Sequence, residues 1–173
     1  MSTKIIFLDL DGPMIPSRAY LLENQTGVNQ KMPEDKQLGC VVTVFDPVAV
    51  GIINNLCAER DWKIVLHSSW VRITGGEKTL EHCIKQGLKA EHFHEEHPFC
   101  DEDENWRFTR IAKWLDKHPE CEQYVILEDE PYKADIYNYP HPKNIEKHLL
   151  LIDFEDGLLM SHYRKIRDGV WHK

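Results

Sequence analysis

Three pairs of polar side chains, each directly after an apolar segment, carry the groups that could do chemistry. The pairs are Asp9 and Asp11, Ser68 and Ser69, and Glu128 and Asp129. Carboxylates gathered into one pocket repel each other, so the pocket is costly unless a hard cation such as Mg²⁺ fills it. Such a cation binds phosphate oxygens readily. These residue types therefore favour phosphoryl chemistry, provided that the fold brings them together.

Within that chemistry, each type has a different use. Asp9 and Asp11 are one residue apart, so in a continuing strand their side chains point to the same side, where one can attack and the other can move protons. Ser68 could bind a phosphoryl oxygen together with backbone amides around Ser69. Arg107 is placed at the start of a helix and could supply a cation.

The elements that must position these residues follow an alternating pattern. Short, apolar and often β-branched segments predict strands that are buried on both faces. Five are predicted: Lys4 to Leu10, Lys63 to His67, a short one within Lys89 to Glu95, Gln123 to Leu127, and His148 to Ile152. Alternation of strands with helices predicts a parallel sheet with right-handed crossovers. Ligands of such sheets bind beyond the carboxyl ends of the strands, which is where the three polar pairs stand.

Helices are predicted from apolar periodicity and from residues that begin or end helices. The predicted spans are Pro47 to about Arg60, Glu77 to Gln86, a helix that begins at Asp101 to Glu104 and stops before Pro119, and Leu158 to Arg167. Asp46 would cap the first of these, and Gly87 and Gly169 would end the second and the last.

Length and composition predict one ordinary globular domain. The 173 residues are 42% hydrophobic and 29% charged, which excludes disordered, collagen-like and coiled-coil classes. The expected fold is α/β, three-layered and Rossmann-like, with a central, mostly parallel five-stranded sheet across residues 1–173. Residues 14–46 show weak periodicity and several Pro and Gly residues, so this segment is expected to form a flap or loop insertion and no large cap.

Charge and hydropathy limit the classes of partner that we expect for this protein. The net charge of −8 disfavours indiscriminate binding to nucleic acid. The early carboxylates Asp9 and Asp11 are incompatible with a signal peptide at that position, and no apolar segment reaches the length of a membrane span. Five widely spaced cysteines form no C-x-x-C pair and are expected to be reduced. We therefore expect a cytoplasmic protein without a membrane partner.

The ordered motifs resemble those of the haloacid dehalogenase-like (HAD) superfamily of phosphohydrolases. Phe7 to Gly12 matches the D-x-D-G motif, and Ile64 to Ser68 matches the apolar strand that ends in Ser or Thr. Arg107 or Lys113 matches the basic residue of the third motif, and Val125 to Asp129 matches the acidic fourth motif. The resemblance covers most of the chain and all four motifs in order.

Within that superfamily, the chain is similar to a small capless group of domains from RNA-repair multidomain proteins. The features shared with that group are Ser68-Ser69-Trp70, Ile111 to Leu115, Val125 to Asp129, and the Gly157-Leu158 turn. An uncapped site is open, so the resemblance favours a bulky or macromolecular phosphorylated substrate, or a site that a partner subunit closes. A polynucleotide end is an alternative substrate, which the resemblance suggests and the net charge disfavours. The oligomeric state has no signature in the sequence.

The resemblance implies a two-step hydrolysis of a phosphate monoester. Asp9 would be the nucleophile and Asp11 the general acid and base, while Mg²⁺ would be bound by Asp9, the Asp11 backbone carbonyl and Asp129. Ser68, Ser69, Gly12 and Arg107 would contact the phosphoryl group. Glu128 stands where Asp is commoner, so its longer side chain would reach the metal through water. Arg107 fits the position of the third motif better than Lys113, and both stay candidates.

Two functions of another class stay open at this point. A receiver-type signalling domain also combines a phosphorylatable Asp with acidic, Ser or Thr, and Lys positions, although its acceptor Asp follows a middle strand. A catalytically inactive domain could keep the same fold in order to bind a partner. Turnover of a phosphate ester distinguishes both from an enzyme.

Overall fold

The computed structural model describes residues 3–19, 44–97, 107–129 and 145–171. Four strands lie in these ranges: β1 (Thr3–Leu8), β2 (Trp62–Leu66), β3 (Cys121–Glu128) and β4 (Leu149–Leu151). The helices are α1 (Pro47–Arg60), α2 (Ser69–Thr74), α3 (Gly76–Lys85), α4 (Arg107–Lys117) and α5 (Met160–Asp168). Two 3₁₀ turns, Ala90–His92 and Ile145–His148, precede a loop and β4, respectively.

The strands form one parallel sheet in the order β2-β1-β3-β4. The first strand is therefore central, as its continuous apolar sequence predicts. Leu8 of β1 lies opposite Leu66 of β2 and Leu127 of β3, so these three strands end at the same level. The polar residues that follow them are consequently neighbours.

Side chains of β1 alternate between two separate apolar cores, one on each face of the sheet. Ile5 and Phe7 belong to the core that α4 covers, which also contains Trp114. Ile6 and Leu8 belong to the larger core, which includes buried residues of α1 and α5. Helices on both faces of a parallel sheet make a three-layer α/β fold, which confirms the predicted fold class.

Local sequence signals set the ends of the best-predicted helix. Asp46 is the N-cap of α1, and its Oδ1 accepts a hydrogen bond of 2.9 Å from the Val48 amide. Pro47 occupies the first helical turn, where a missing N–H costs nothing. Gly169, with φ of 68°, ends α5 in the left-handed conformation that glycine adopts readily. The predicted spans of α1 and α5 thus agree with the structure to within two residues.

The prediction of five strands is wrong for the described residues, which form a sheet of four. The segment from Lys89 to Glu95 makes a 3₁₀ turn at Ala90–His92 and pairs with β2 only through Phe93, which forms an isolated bridge to Ile64. A chain wound into a 3₁₀ turn has no extended backbone to offer a neighbour, so the pairing cannot continue.

Other predictions lie partly or wholly outside the described residues. Only 14–19 and 44–46 of the expected flap are described, and the acidic helix start at Asp101 to Glu104 is not. The residues that directly follow Ser68 form the short helix α2. In the part of the chain that the structure describes, no helix has both the length and the apolar character needed to cross a bilayer.

Candidate active site at the ends of three strands

Sheet register brings the three polar pairs of the sequence to one edge. The Asp9 amide donates to the Leu127 carbonyl at 3.1 Å, and the His67 amide donates to the Leu8 carbonyl at 3.2 Å. Asp9 is thereby fixed between the residues that follow β2 and those that end β3. This edge is the carboxyl end of the sheet, where the parallel topology predicts a site.

Asp9 lies at the centre of this edge and is fully buried. Its Oδ1 accepts from the Leu10 amide at 2.8 Å, and its Oδ2 accepts from Arg107 Nη1 at 2.7 Å. The same Nη1 lies 2.9 Å from both carboxylate oxygens of Glu128, which is also fully buried. One guanidinium nitrogen therefore joins two buried carboxyl groups.

The two carboxyl groups have opposite pKa shifts. Burial alone would raise the pKa of Asp9, but the Arg107 guanidinium and a hydrogen bond from Glu128 hold it below its usual value. Burial, together with the neighbouring charge of Asp9, raises the pKa of Glu128. The two shifts favour the ionised form of Asp9 and the protonated form of Glu128. An ionised Asp9 is in the state that a nucleophile needs.

A tight turn after β1 brings Asp129 close to the main chain. The amides of Met14 and Ile15 both donate to the Leu10 carbonyl at 3.0 Å. Gly12 in this turn has φ of +72°, and a Cβ there would lie 2.7 Å from Asp129 Cγ. Glycine is required at this position both for the backbone conformation and for the close approach.

Asp11 lies in the same turn but faces a different partner. Its Oδ2 accepts a hydrogen bond of 3.0 Å from the indole Nε1 of Trp70. Burial and the charge of Asp9 raise the pKa of Asp11 to about 6, against the lowering effect of the Trp70 hydrogen bond. A carboxyl group with such a pKa can both give and take a proton near neutral pH.

Ser68 and Ser69 mark the start of α2. Ser68 is fully buried and is the N-cap of the helix, where its hydroxyl accepts from the Trp70 amide at 3.3 Å. Ser68 also contributes to the low pKa of Asp9, which indicates that its hydroxyl lies close to that carboxylate. Ser69 is the first residue of α2 and is half-buried. The pair therefore lies beside Asp9, as its place after β2 requires.

Of the two candidates for the third motif, Arg107 is the one that contacts the carboxylates. It is the first residue of α4, whereas Lys113 lies nearly two turns later and is half-buried. The contacts of Asp9 and Glu128 described above are to Arg107.

His67 is a residue of the site that the sequence did not single out. It is buried, its Nε2–H donates to the Leu127 carbonyl at 3.3 Å, and its Nδ1 lies 3.8 Å from Glu128 Oε2. Burial lowers the pKa of His67 to about 4, although the charge of Asp9 acts in the opposite direction. A neutral imidazole therefore lies behind Glu128. The sequence signal for His67 was its position directly after a strand, like that of Asp9. That signal becomes informative only when the order of the strands in the sheet is known.

Three of the acidic groups could bind a metal ion together. Asp9, Glu128 and Asp129 each have an oxygen within 4.8 Å of the other two, and the Asp11 carboxylate is not in this group. Burial also raises the pKa of Asp129. Within the described residues, the Arg107 guanidinium lies near the carboxyl groups of Asp9, Glu128 and Asp129. A negative charge on one of these carboxyl groups disfavours a negative charge on the others. An all-oxygen cluster that is short of positive charge fits a hard cation such as Mg²⁺.

A turn from the far end of the chain supports the Asp11 turn. Gly157, with φ of +64°, packs so closely that a Cβ there would lie 2.7 Å from Pro16 Cγ and 3.3 Å from the Gly12 carbonyl oxygen. The Leu158 amide donates to the Pro13 carbonyl at 3.4 Å. The Gly157-Leu158 turn noted in the sequence is therefore part of the wall behind the site.

Comparison with known proteins gives one family. The family model described as the HAD domain in Swiss Army Knife RNA repair proteins matches residues 5–163 of the chain. No match was found among curated proteins or solved structures. The matched range includes all four motifs and the turn at Gly157.

Proposed function

The chain belongs to the HAD domains of Swiss Army Knife RNA repair proteins, and on that premise we propose that it is a Mg²⁺-dependent phosphomonoesterase. The family supports a HAD-type hydrolase. The finer assignment is supported by one observation above all, the convergence of Asp9, Arg107 and Glu128 at the carboxyl end of the sheet.

The proposed reaction has two displacements. An oxygen of Asp9 attacks phosphorus and forms an aspartyl-phosphate, while the bond to the leaving oxygen breaks and Asp11 protonates that oxygen. The Asp11 carboxylate then removes a proton from water, whose oxygen attacks phosphorus and releases Asp9. The low pKa of Asp9 supports its role as nucleophile, and the raised pKa of Asp11 supports its role as acid and then base.

The metal would be bound by Asp9, Asp129 and the backbone carbonyl of Asp11. Glu128 is already hydrogen-bonded to Arg107 through both oxygens, which supports an indirect contribution through water. When bound, Mg²⁺ supplies positive charge that stabilises the oxygens of the phosphoryl group during transfer. Arg107 adds a fixed cation beside the nucleophile, and the turn at Gly12 keeps Asp129 within reach.

Ser68, Ser69 and Gly12 are the proposed contacts of the phosphoryl oxygens. Ser68 lies close enough to Asp9 to lower the pKa of that carboxyl group, so a phosphoryl group on Asp9 would be next to its hydroxyl. Backbone amides at Ser69 and Gly12 could donate to the remaining oxygens. Positioned donors of this kind are typically worth about 10² to 10³ in rate when one is removed.

A polynucleotide end is the second candidate for the substrate. The description of the family as RNA-repair proteins favours it, whereas the net charge of −8 opposes it. Hydrolysis of phosphorylated oligonucleotides in preference to sugar phosphates, with a steep dependence on salt, would support this substrate.

The test of the proposed function is a panel of phosphate monoesters, including aryl phosphates, sugar phosphates and oligonucleotide ends, with and without Mg²⁺. We expect turnover that chelation abolishes, that Asp9→Asn abolishes, and that Asp11→Asn slows by about 10² or more. Wild-type turnover in Asp9→Asn would exclude Asp9 as the nucleophile. A long-lived phosphoprotein without turnover would indicate a receiver-type domain, and Mg²⁺ binding without either would indicate an inactive one.

A further inference from the structure

Trp70 contacts two residues of the proposed site through two different groups. Its indole Nε1 donates to Asp11 Oδ2 at 3.0 Å, and its backbone amide donates to the Ser68 hydroxyl at 3.3 Å. The side chain is 1% exposed, so the indole N–H has no access to bulk water. A buried N–H is costly when it lacks a partner, and here the partner is Asp11.

The packing around Trp70 holds the indole in one place. Its ring lies against the ring of His82, with centroids 5.6 Å apart, and Phe45 contacts the same imidazole edge-on at 5.5 Å. The Thr74 hydroxyl donates to the Trp70 carbonyl at 2.8 Å. The direction of the N–H is therefore fixed by residues that do not touch the carboxylates.

An indole N–H can donate a hydrogen bond but cannot accept one. While the bond to Trp70 is kept, Oδ2 of Asp11 must act as the acceptor, so the proton of the acid form is carried by Oδ1. We infer that Trp70 is a positioning residue that selects the oxygen from which Asp11 gives its proton to the leaving group. This inference rests on the proposed phosphomonoesterase reaction.

The proton that Asp11 gives to the leaving oxygen affects the rate to a different extent for different phosphate esters. When the Asp9–phosphorus bond forms and the bond to the leaving oxygen breaks, the electron pair stays on that oxygen. An alkoxide is a strong base and needs the proton from Asp11 as it departs, whereas a nitrophenolate is a weak base and can leave without it. A residue that positions the proton must consequently affect alkyl phosphates more than nitrophenyl phosphate.

The experiment compares kcat/KM of Trp70→Phe with that of wild type on 4-nitrophenyl phosphate and on an alkyl phosphate. We expect the alkyl phosphate to lose at least about tenfold more than the nitrophenyl ester, as part of the 10² to 10⁴ that a general acid contributes. Equal losses on both esters would overturn the inference. Absence of turnover by the wild type on every ester would instead refute the proposed function.

Trp62→Phe is the matched control. Trp62 is also buried, but it begins β2 at the opposite end of the sheet and packs against Trp171. Trp62→Phe removes the same ring volume as Trp70→Phe, so we expect any loss of kcat/KM to be equal for the two esters. A selective loss in Trp62→Phe would show that general destabilisation mimics the effect, and would also overturn the inference.

If Trp70→Phe fails to fold, the N–H can be removed with almost no change of shape. A benzothienyl isostere of tryptophan, introduced at position 70, replaces the N–H by sulfur and keeps the ring size. The same selective loss on the alkyl phosphate is expected. Unchanged selectivity in this folded variant would refute the role of Trp70.

Discussion

At the residue scale, the site depends on how one cation is shared among buried acids. Arg107 binds Asp9 and Glu128 at the same time, and its side chain is 19% exposed, so solvent screens the contact only in part. Arg107 helps to keep Asp9 ionised, whereas burial and the charge of Asp9 raise the pKa of Glu128 against the lowering effect of Arg107. Asp9, the proposed nucleophile, is thus ionised before any substrate arrives.

The first prediction concerns this shared cation. Arg107→Gln should reduce kcat/KM on an aryl phosphate by about a hundredfold or more, because it removes the positive charge beside the attacking oxygen. The same change at Lys113, the other candidate for the third motif, should cost far less. Steady-state kinetics at saturating Mg²⁺ measure both. A larger loss in Lys113→Gln than in Arg107→Gln would assign the third motif to Lys113 instead.

The sequence predicts most of the acidic and polar residues of this site, because each follows an apolar strand directly. It favours Arg107 over Lys113 without deciding between them, since both lie in one helix and the choice depends on which end of that helix faces the sheet. Trp70 and His67 were missed as members of the site for a similar reason. Their contacts are with residues distant in the chain, and only the order of the strands brings them together.

At the element scale, the turn after β1 determines where Asp129 can lie. Gly12 has φ of +72° and leaves no room for a Cβ beside Asp129. Gly51, by contrast, lies inside α1, and apart from its chain neighbours and the backbone of its own helix no described atom lies within 4 Å of the position that a Cβ would occupy. The two glycines therefore form a matched pair for substitution by alanine.

The second prediction uses that pair. Gly12→Ala should lower the free energy of unfolding and reduce activity strongly, because the turn must move away from Asp129. Gly51→Ala should raise the free energy of unfolding by about 1 kcal/mol and leave activity unchanged, because alanine is the better helix former. Denaturant unfolding and turnover measure the two effects. Near-wild-type activity in Gly12→Ala would show that the close approach to Asp129 is not needed.

Elements with strong local signals were predictable. The Asp46 cap and Pro47 defined the start of α1, and Gly169 defined the end of α5. The segment from Lys89 to Glu95 was predicted as a strand because it is short and partly apolar, and such segments also suit a 3₁₀ turn. Its single pairing, Phe93 with Ile64, depends on packing that local sequence does not encode.

For the molecule as a whole, the proposed metal site should couple the binding of a cation to the stability of the fold. Asp9, Glu128 and Asp129 come from two strands of the sheet, and their oxygens lie within 4.8 Å of one another. An unfolded chain cannot keep them together, so a cation that binds this cluster binds the folded state alone. Binding must then increase the free energy of unfolding.

The third prediction follows from this coupling. Mg²⁺ at about a hundred times its Kd should stabilise the protein by about 2.7 kcal/mol, which raises the Tm by about 5 °C or more for a domain of this size. Asp129→Asn should remove most of that increase, whereas Asp168→Asn, on the surface of α5, should keep it. Thermal unfolding with and without a chelator measures the shift. An equal Mg²⁺ response in all three proteins would mean that the ion acts elsewhere.

The Gly157 turn packs against Pro16 and the Gly12 carbonyl, although these segments are separated by most of the chain. During synthesis, the ribosome adds Asp9 before it adds the Gly157 turn that supports the loop after Asp9. A nascent chain thus holds Asp9 long before it holds Arg107, Asp129 or Gly157. The complete site can therefore form only after Gly157 has been made, and chains that stop before Gly157 should lack the proposed phosphatase activity.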